Sequence, residues 1–395
     1  RGTPGDQRDL SVSYNKVAAI YEAQGEIEKA LKLYQQGLAI REKLVQTRGT
    51  PGDQRDLSVS YNKVAAIYEA QGKLEEALKL YQKGLAIAEG LAQTRGTPED
   101  QRDLSVSYNK VGDIYNTQGK LEEALKLYQQ GLAIREKLVQ TRGTPGDQRD
   151  LSVSYNKVAA IYEAQGKLEK ALKLYQKGLA IAEGLAQTRG TPEDQRDLSV
   201  SYNKVGDIYN TQGKLEEALK LYQQGLAIRE KLVQTRSTPE DQRDLSVSYN
   251  RVADIYEAQG KLEEALKLYQ KDLTIAEGLA QTRGTPEDQR DLSVSYNKIA
   301  AIYKAQGKLE KALKLYQQGL AIREKLVQTR GTGRDKDDLM VSCWKVASLV
   351  SPETESRKLL AEKGRAIAQE LSESPNAPRS KEEYERIIEI FNRLL

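Results

Sequence analysis

Apolar positions along this chain recur at helical spacing. In the first segment Leu10, Tyr14, Val17 and Tyr21 fall at i, i+4, i+7 and i+11, which is one stripe of a helix. Ile27, Ala30, Leu31, Tyr34, Leu38 and Leu44 make a second stripe, and Gly25 stands between the two. A glycine just past a helix end takes the left-handed conformation that closes the helix. The pattern therefore predicts a helix–turn–helix, and it returns seven times. The copies open with RGTP at Arg1, Arg48, Arg95, Arg142, Arg189 and Arg283, and with RSTP at Arg236, a period of 47 residues. The stretch Tyr155 to Gln176, YNKVAAIYEAQGKLEKALKLYQ, is representative.

The start of each copy carries its own helix signal. Thr97, Pro98, Glu99 and Asp100 suit the N-cap, N1, N2 and N3 positions. The hydroxyl accepts from an orphan amide, proline needs no donor at N1, and two acids face the positive helix end. In this copy helix A is predicted from about Pro98 to Thr117 and helix B from about Lys120 to Gln140. Each is roughly 20 residues, or ~30 Å.

The spaced residues Tyr14, Val17, Ala18, Tyr21, Gly25, Ala30, Tyr34 and Gly37 resemble the tetratricopeptide repeat (TPR) pattern. Tyr14 stands where that family has Trp, and Gly37 where it usually has Ala. The family's final proline is missing, so helix B runs on. The usual unit is about 34 residues; the longer unit here is similar to those of kinesin light chains and bacterial signalling receptors. The resemblance covers residues 1–329. It implies an all-α fold, a right-handed TPR superhelix (α-solenoid) of antiparallel helix pairs. It also implies that one side of helix A lines a concave groove that recognises protein or peptide.

Three segments are expected: seven full repeats over 1–329, a degenerate eighth over 330–373, and a linker with a capping helix over 374–395. After Arg330, Leu339, Val341, Lys345, Val346 and Ala347 still align with Leu10, Val12, Lys16, Val17 and Ala18. Cys343 and Trp344 replace the Tyr and Asn, and Gly364, Ala366 and Ile367 match Gly37, Ala39 and Ile40. Ser380 and Glu383 form a capping box before the stripe Tyr384, Ile387, Ile388, Phe391 and Leu394. A helix so placed would cover the open end of a solenoid.

Composition narrows the function. There are 61 Lys and Arg against 57 Asp and Glu, so no basic stripe points to nucleic acid or a membrane surface. One cysteine and no histidine exclude a disulfide within the chain, a Cys/His zinc site and a Ser–His or Cys–His pair. No phosphate-binding loop motif occurs. The chain is therefore read as a non-enzyme without cofactor or metal, in a reducing, cytoplasmic compartment. The start at Arg1 on a repeat boundary, with Met340 the sole methionine, suggests a piece of a longer protein.

A second period of 94 residues overlies the first. Odd repeats end AIREKLVQT and even ones AEGLAQT, and residues 48–141 and 142–235 differ only at Glu76 against Lys170. Such near-identity makes the differences between repeats more informative than the repetition. The differences cluster: Ala18-Ala19 becomes Gly112-Asp113, Gly206-Asp207 and Ala253-Asp254, and Glu22 becomes Asn116, Asn210 and Lys304. With Val12, Asn15 and Lys16 these positions are expected on the groove side of helix A. There a row of amides, Asn15, Asn62, Asn109, Asn156, Asn203, Asn250 and Asn297, could bond an extended peptide backbone. The adjacent Lys16, Lys63, Lys110, Lys157, Lys204, Arg251 and Lys298 could bind acidic groups. Repeat seven has Ala301 and Lys304 where other repeats place acids or amides, beside Lys298 and with Arg290 earlier on the same helix. An acidic segment or C-terminal carboxylate of a partner is expected there. Asp272 stands where six repeats have glycine, and its carboxylate is expected to reach solvent or disturb the packing. The function expected is a protein- or peptide-binding scaffold, the sensor or interaction part of a larger bacterial signalling protein. A helical-repeat RNA binder and a structural spacer are the other classes.

Overall fold

The computed structural model describes residues 2–374 and 377–395. Arg1, which opens the first repeat, and residues 375–376 of the expected linker lie outside the described residues. Seven helix pairs follow one another: α1 (Pro4–Ala23) with α2 (Ile27–Thr47), α3 (Pro51–Ala70) with α4 (Leu74–Thr94), α5 (Pro98–Thr117) with α6 (Leu121–Thr141), and α7 (Pro145–Ala164) with α8 (Leu168–Thr188). Then come α9 (Pro192–Thr211) with α10 (Leu215–Thr235), α11 (Pro239–Ala258) with α12 (Leu262–Thr282), and α13 (Pro286–Ala305) with α14 (Leu309–Thr329). The chain ends in α15 (Gly333–Ala347), α16 (Glu355–Ser372) and α17 (Lys381–Asn392). Two compact units, Arg1–Asp194 and Gln195–Leu395, make up the array, and each is an α-solenoid of antiparallel pairs.

The turn inside a pair closes as its glycine dictates. Gly25 has φ 77°, Glu26 N donates to Tyr21 O (2.8 Å) and Gly25 N to Glu22 O (3.0 Å), the two bonds of a Schellman motif. The loop between pairs is a cap built on an ion pair between an exposed arginine and a buried aspartate. In repeat four Thr144 Oγ1 accepts from Asp147 N (3.1 Å), and Arg142 donates from Nε (3.1 Å) and Nη2 (2.7 Å) to the Asp147 carboxylate. The Arg142 bonds, chiefly, hold the Asp147 carboxyl down at about 2.

The core lies between repeats as much as within them. Ala18, Ala30 and Tyr34 of repeat one pack with Val64 and Ile67 of repeat two. The stripe of helix A thus covers the helix B before it. On α1 that stripe has no helix B in front, and Leu10, Val17 and Ile20 are exposed where Leu57, Val64 and Ile67 are buried. The stripe of Leu10 and Val17 is therefore a buried face only in their later counterparts.

Alternating ion pairs account for the 94-residue period. From an odd repeat to the next, two arginines converge on one aspartate: Arg102 (2.9 Å) and the buried Arg135 on Asp150, and Arg290 (2.7 Å) and the buried Arg323 (2.5 Å) on Asp338. Burial pushes Arg323 down to about 10. Even repeats carry a buried alanine at that place, Ala88, Ala182 or Ala276. Their junction instead uses a single arginine: Arg55 meets Asp100 (3.3 Å) and Asp103 (2.6 Å), and Arg243 meets Asp288 (2.7 Å) and Asp291 (3.1 Å).

At the end of the chain α17 packs on α16. Tyr384 and Phe391 are buried with Met340, Ala361, Ala368 and Leu371. Gly364 permits this, since a Cβ there would stand 2.2 Å from the Phe391 ring. Tyr384 Oη and Arg379 both donate to Asp337, at 3.0 and 2.7 Å. Cys343 is buried and its thiol is pushed up to about 12, as befits an inert packing residue.

Repeat six departs from its sisters twice. At the close approach of helices A and B, a Cβ on Gly84 or Gly178 would stand 2.9 Å from an asparagine Oδ1. Asp272 occupies this place, is 0% exposed, and accepts a hydrogen bond from Ser246; Ser58 and Ser152 donate instead to the backbone of Gly84 and Gly178. It does not reach solvent. Burial pushes its pKa up, against the pull of Ser246, Ser295 and Asn250. A carboxyl with a raised folded pKa contributes stability below its unfolded pKa and loses it as pH rises through the folded one. Asp272→Gly should therefore stabilise the protein by roughly 1–3 kcal/mol, with a larger gain at pH 7 than at pH 4. Thermal melts at both pH values check this, and a gain larger at low pH would refute the account.

The second departure is Ser237, which holds φ 49° where other repeats have glycine at about the same angle. A side chain in this left-handed region costs roughly 1–2 kcal/mol. Ser237→Gly should raise the unfolding free energy by about that amount in a denaturant titration, while Gly190→Ser should lower it.

Candidate functional site

Helix B carries one tyrosine per repeat whose ring lies deep between helices, Tyr34 and its successors. Its hydroxyl needs an acceptor, and helix A of the same repeat supplies a carboxylate from one of two places. Tyr34, Tyr81 and Tyr175 donate to Glu22, Glu69 and Glu163, all at 2.8 Å. Tyr128 and Tyr222 donate to Asp113 (2.6 Å) and Asp207 (2.7 Å), three residues earlier on helix A. Tyr269 donates to both Asp254 and Glu257 (2.8 Å). Burial first, and then the carboxylate, push these hydroxyls above their ordinary range, so they remain protonated donors.

The clustered sequence differences are the two forms of this pairing. A Cβ on Gly112 would stand 2.7 Å from the Tyr128 ring, so glycine there lets the ring lean toward Asp113. Freed of the hydroxyl, the position of Glu22 becomes Asn116. The expectation that Ala18, Gly112 and their equivalents face a groove is thus corrected. They are buried beneath the tyrosine, because that ring and helix A approach closely.

The cation row belongs to the same assembly. Five of its cations stand over the tyrosine of the preceding repeat: Lys63 over Tyr34 (5.3 Å), Lys110 over Tyr81 (5.9 Å), Lys157 over Tyr128 (5.3 Å), Arg251 over Tyr222 (6.0 Å) and Lys298 over Tyr269 (5.6 Å). Where the acid is aspartate the cation also pairs with it, as Lys157–Asp113 (2.6 Å), Arg251–Asp207 (3.1 Å) and Lys298–Asp254 (2.6 Å). Lys16 is exposed and Lys204 half-buried. Of the cations expected to gather at repeat seven, Lys298 is therefore neutralised by Asp254 and Arg290 by Asp338, while Lys304 stands exposed.

The amide row sits between the helices. Oδ1 of Asn15, Asn62, Asn109, Asn156, Asn203, Asn250 and Asn297 is buried without a hydrogen-bond partner. In the six repeats other than the sixth it abuts the helix-B glycine, where a Cβ would meet it at 2.9–3.2 Å. The acceptor end therefore points inward.

Beside the amides runs a row that remains apolar and open. Val12, Val59, Val106, Val153, Val200 and Val247 are 37–47% exposed. Between repeats two and three, Val59, Val106 and Asn62 border a cleft of about 100 Å³ with Arg55 and Asp103. Sequence reading set Val12 on this side of the helix but gave its row no part. A β-branched residue repeated at an exposed helix position, against its helix propensity, was the available signal. Among the described residues no helix is long and apolar enough to cross a membrane, and no cluster of His, Cys, Asp or Glu could hold a metal ion.

Comparisons with known proteins agree with this architecture. Tetratricopeptide repeat family models match residues 10–49, 56–137, 150–231 and 244–325, more than half of the chain. No curated protein sequence matches. Among solved structures, the apo form of RapI is similar over 97% of this chain and 98% of its own, with TM-score 0.61 and 12% identity. BtubC (BKLC) from P. vanneervenii is similar over 64% of this chain and 92% of its own, with TM-score 0.53 and 19% identity. A signal-transduction ATPase with numerous domains and a tetratricopeptide repeat sensor, from Pyrococcus horikoshii, is similar over 92% of this chain and 49% of its own (TM-score 0.52, 16% identity). At these identities the likeness is one of fold. With its repeats matched across more than half its length, the chain belongs to the tetratricopeptide repeat family.

Proposed function

We propose that the protein is a scaffold that binds a protein partner, as an extended peptide, along the helix-A face of its repeats. The exposed valine row carries this reading. An apolar side chain left partly open on helix A recurs in repeat after repeat, and an exposed apolar stripe with a polar border suits recognition. Asn62 and its equivalents add amide NH₂ donors along one border. Lys304 and the loss of both acid positions in repeat seven favour a partner with an acidic segment at that end. The ATPase from P. horikoshii carries its own array as a sensor. The same fold here suits the sensor or interaction part of a larger signalling protein.

The test is selection of binding peptides from a displayed random library, followed by affinity measurement on variants. Val247→Arg on the helix-A face, or Lys304→Glu, should weaken the selected peptides about tenfold or more, ~1.4 kcal/mol. Lys32→Glu on helix B should leave them unchanged. Equal losses from Lys32→Glu and Lys304→Glu, or binding indifferent to both helix-A changes, would overturn the reading.

A further inference from the structure

Repeat seven breaks the tyrosine–carboxylate pairing. Both acid positions are lost, to Ala301 and Lys304, yet the tyrosine remains as Tyr316. Its side chain is buried, the residue being 5% exposed, and among the described residues its hydroxyl has no hydrogen-bond partner. Lys345 keeps the place of the cation row, with Nζ 5.7 Å from the centre of the Tyr316 ring, and makes no ion pair among the described residues. Burial, then the nearby Lys298 and Arg323, push its pKa down against the pull of Asp338.

The place left by the missing acid is open. A cavity of about 450 Å³ is lined by Ala301, Lys304, Tyr316, Trp344 and Lys345, with Ala305 and Ser348 at its edge. Trp344 also lines a neighbouring cavity of about 300 Å³ that is mainly apolar, with Val341, Ile387 and Ile390. Trp344 stands at the asparagine position of the earlier repeats and is 40% exposed.

We propose that this cavity is a carboxylate subsite: a carboxylate of a bound peptide takes the place that Asp113, Asp207 and Asp254 fill in sister repeats. It accepts a hydrogen bond from Tyr316 Oη and pairs with Lys345 and Lys304. The apolar cavity beside it receives the adjoining side chain, which fits a C-terminal residue with an apolar side chain. This rests on the peptide-recognition reading and specifies one end of it.

Trp344 is the only tryptophan in the chain, so its fluorescence reports the site directly. The probes are N-acetyl-leucine, N-acetyl-leucinamide and N-acetyl-glutamine with its α-carboxyl free, against N-acetyl-glutamate α-amide, whose only carboxylate is on the side chain. N-acetyl-leucine should give a saturable change in the millimolar range. The leucinamide should bind at least about tenfold more weakly, ~1.4 kcal/mol. N-acetyl-glutamine stronger than the glutamate amide assigns the site to chain ends; the reverse order assigns it to acidic side chains and overturns the C-terminal assignment. Ala301→Asp restores the acid of the sister repeats and should abolish the response while the fold, followed by circular dichroism, is retained. Tyr316→Phe should weaken it severalfold without unfolding. Equal binding of acid and amide, or an unchanged titration in Ala301→Asp, overturns the subsite. If the small acids fail while Val247→Arg still weakens selected peptides, only the subsite falls. If they bind and no library peptide does, the groove reading falls and the subsite stands.

Discussion

A buried phenol must have an acceptor. In this array that requirement governs the helix-B tyrosine of each repeat, and much of the surrounding chemistry follows from it. The ring fills the space between helices A and B and reaches toward the next repeat, so its hydroxyl, where no cavity opens beside it, needs a partner within the chain. A carboxylate on helix A meets it, and a cation from the following helix A covers the ring and in several repeats joins the carboxylate. One polar contact thus ties together three helices of two repeats. The acid has two workable places: glycine beneath the ring goes with the aspartate in repeats three and five, and repeat six, with alanine there, uses both.

The same reasoning separates what serves the fold from what is free for a partner. Most acids and cations on helix A are committed to tyrosines or to neighbouring repeats. The valines are not, and neither is Lys304. Repeat seven is distinguished less by its extra lysine than by a donor hydroxyl and a covering Lys345 that lack the acid their equivalents have.

Much of the fold is legible in the sequence, because its signals are local. Gly25 and its equivalents mark the turns, Thr-Pro marks the caps, and the predicted helix of Pro98–Thr117 is the observed one. What was not legible lies between residues far apart in the chain. Nothing local in Asp113 or Asn116 reveals that the first accepts from Tyr128 and that the second is thereby released. The 94-residue period was plain, but its meaning, Arg135 and Arg102 converging on Asp150, needed the packing of successive repeats. The cations expected as a cluster near Lys304 were misread for the same reason: Arg290 and Lys298 find their acids in neighbouring repeats.

The central claim is that the tyrosine hydroxyl of each repeat requires a helix-A carboxylate and that repeat seven lacks one. A double-mutant cycle on Ala301→Asp and Tyr316→Phe tests it most directly, with unfolding free energies from denaturant titration. The account predicts that Ala301→Asp stabilises the protein when Tyr316 is present and gains at least about 1 kcal/mol less when it is phenylalanine. An equal effect of Ala301→Asp in both backgrounds would contradict it.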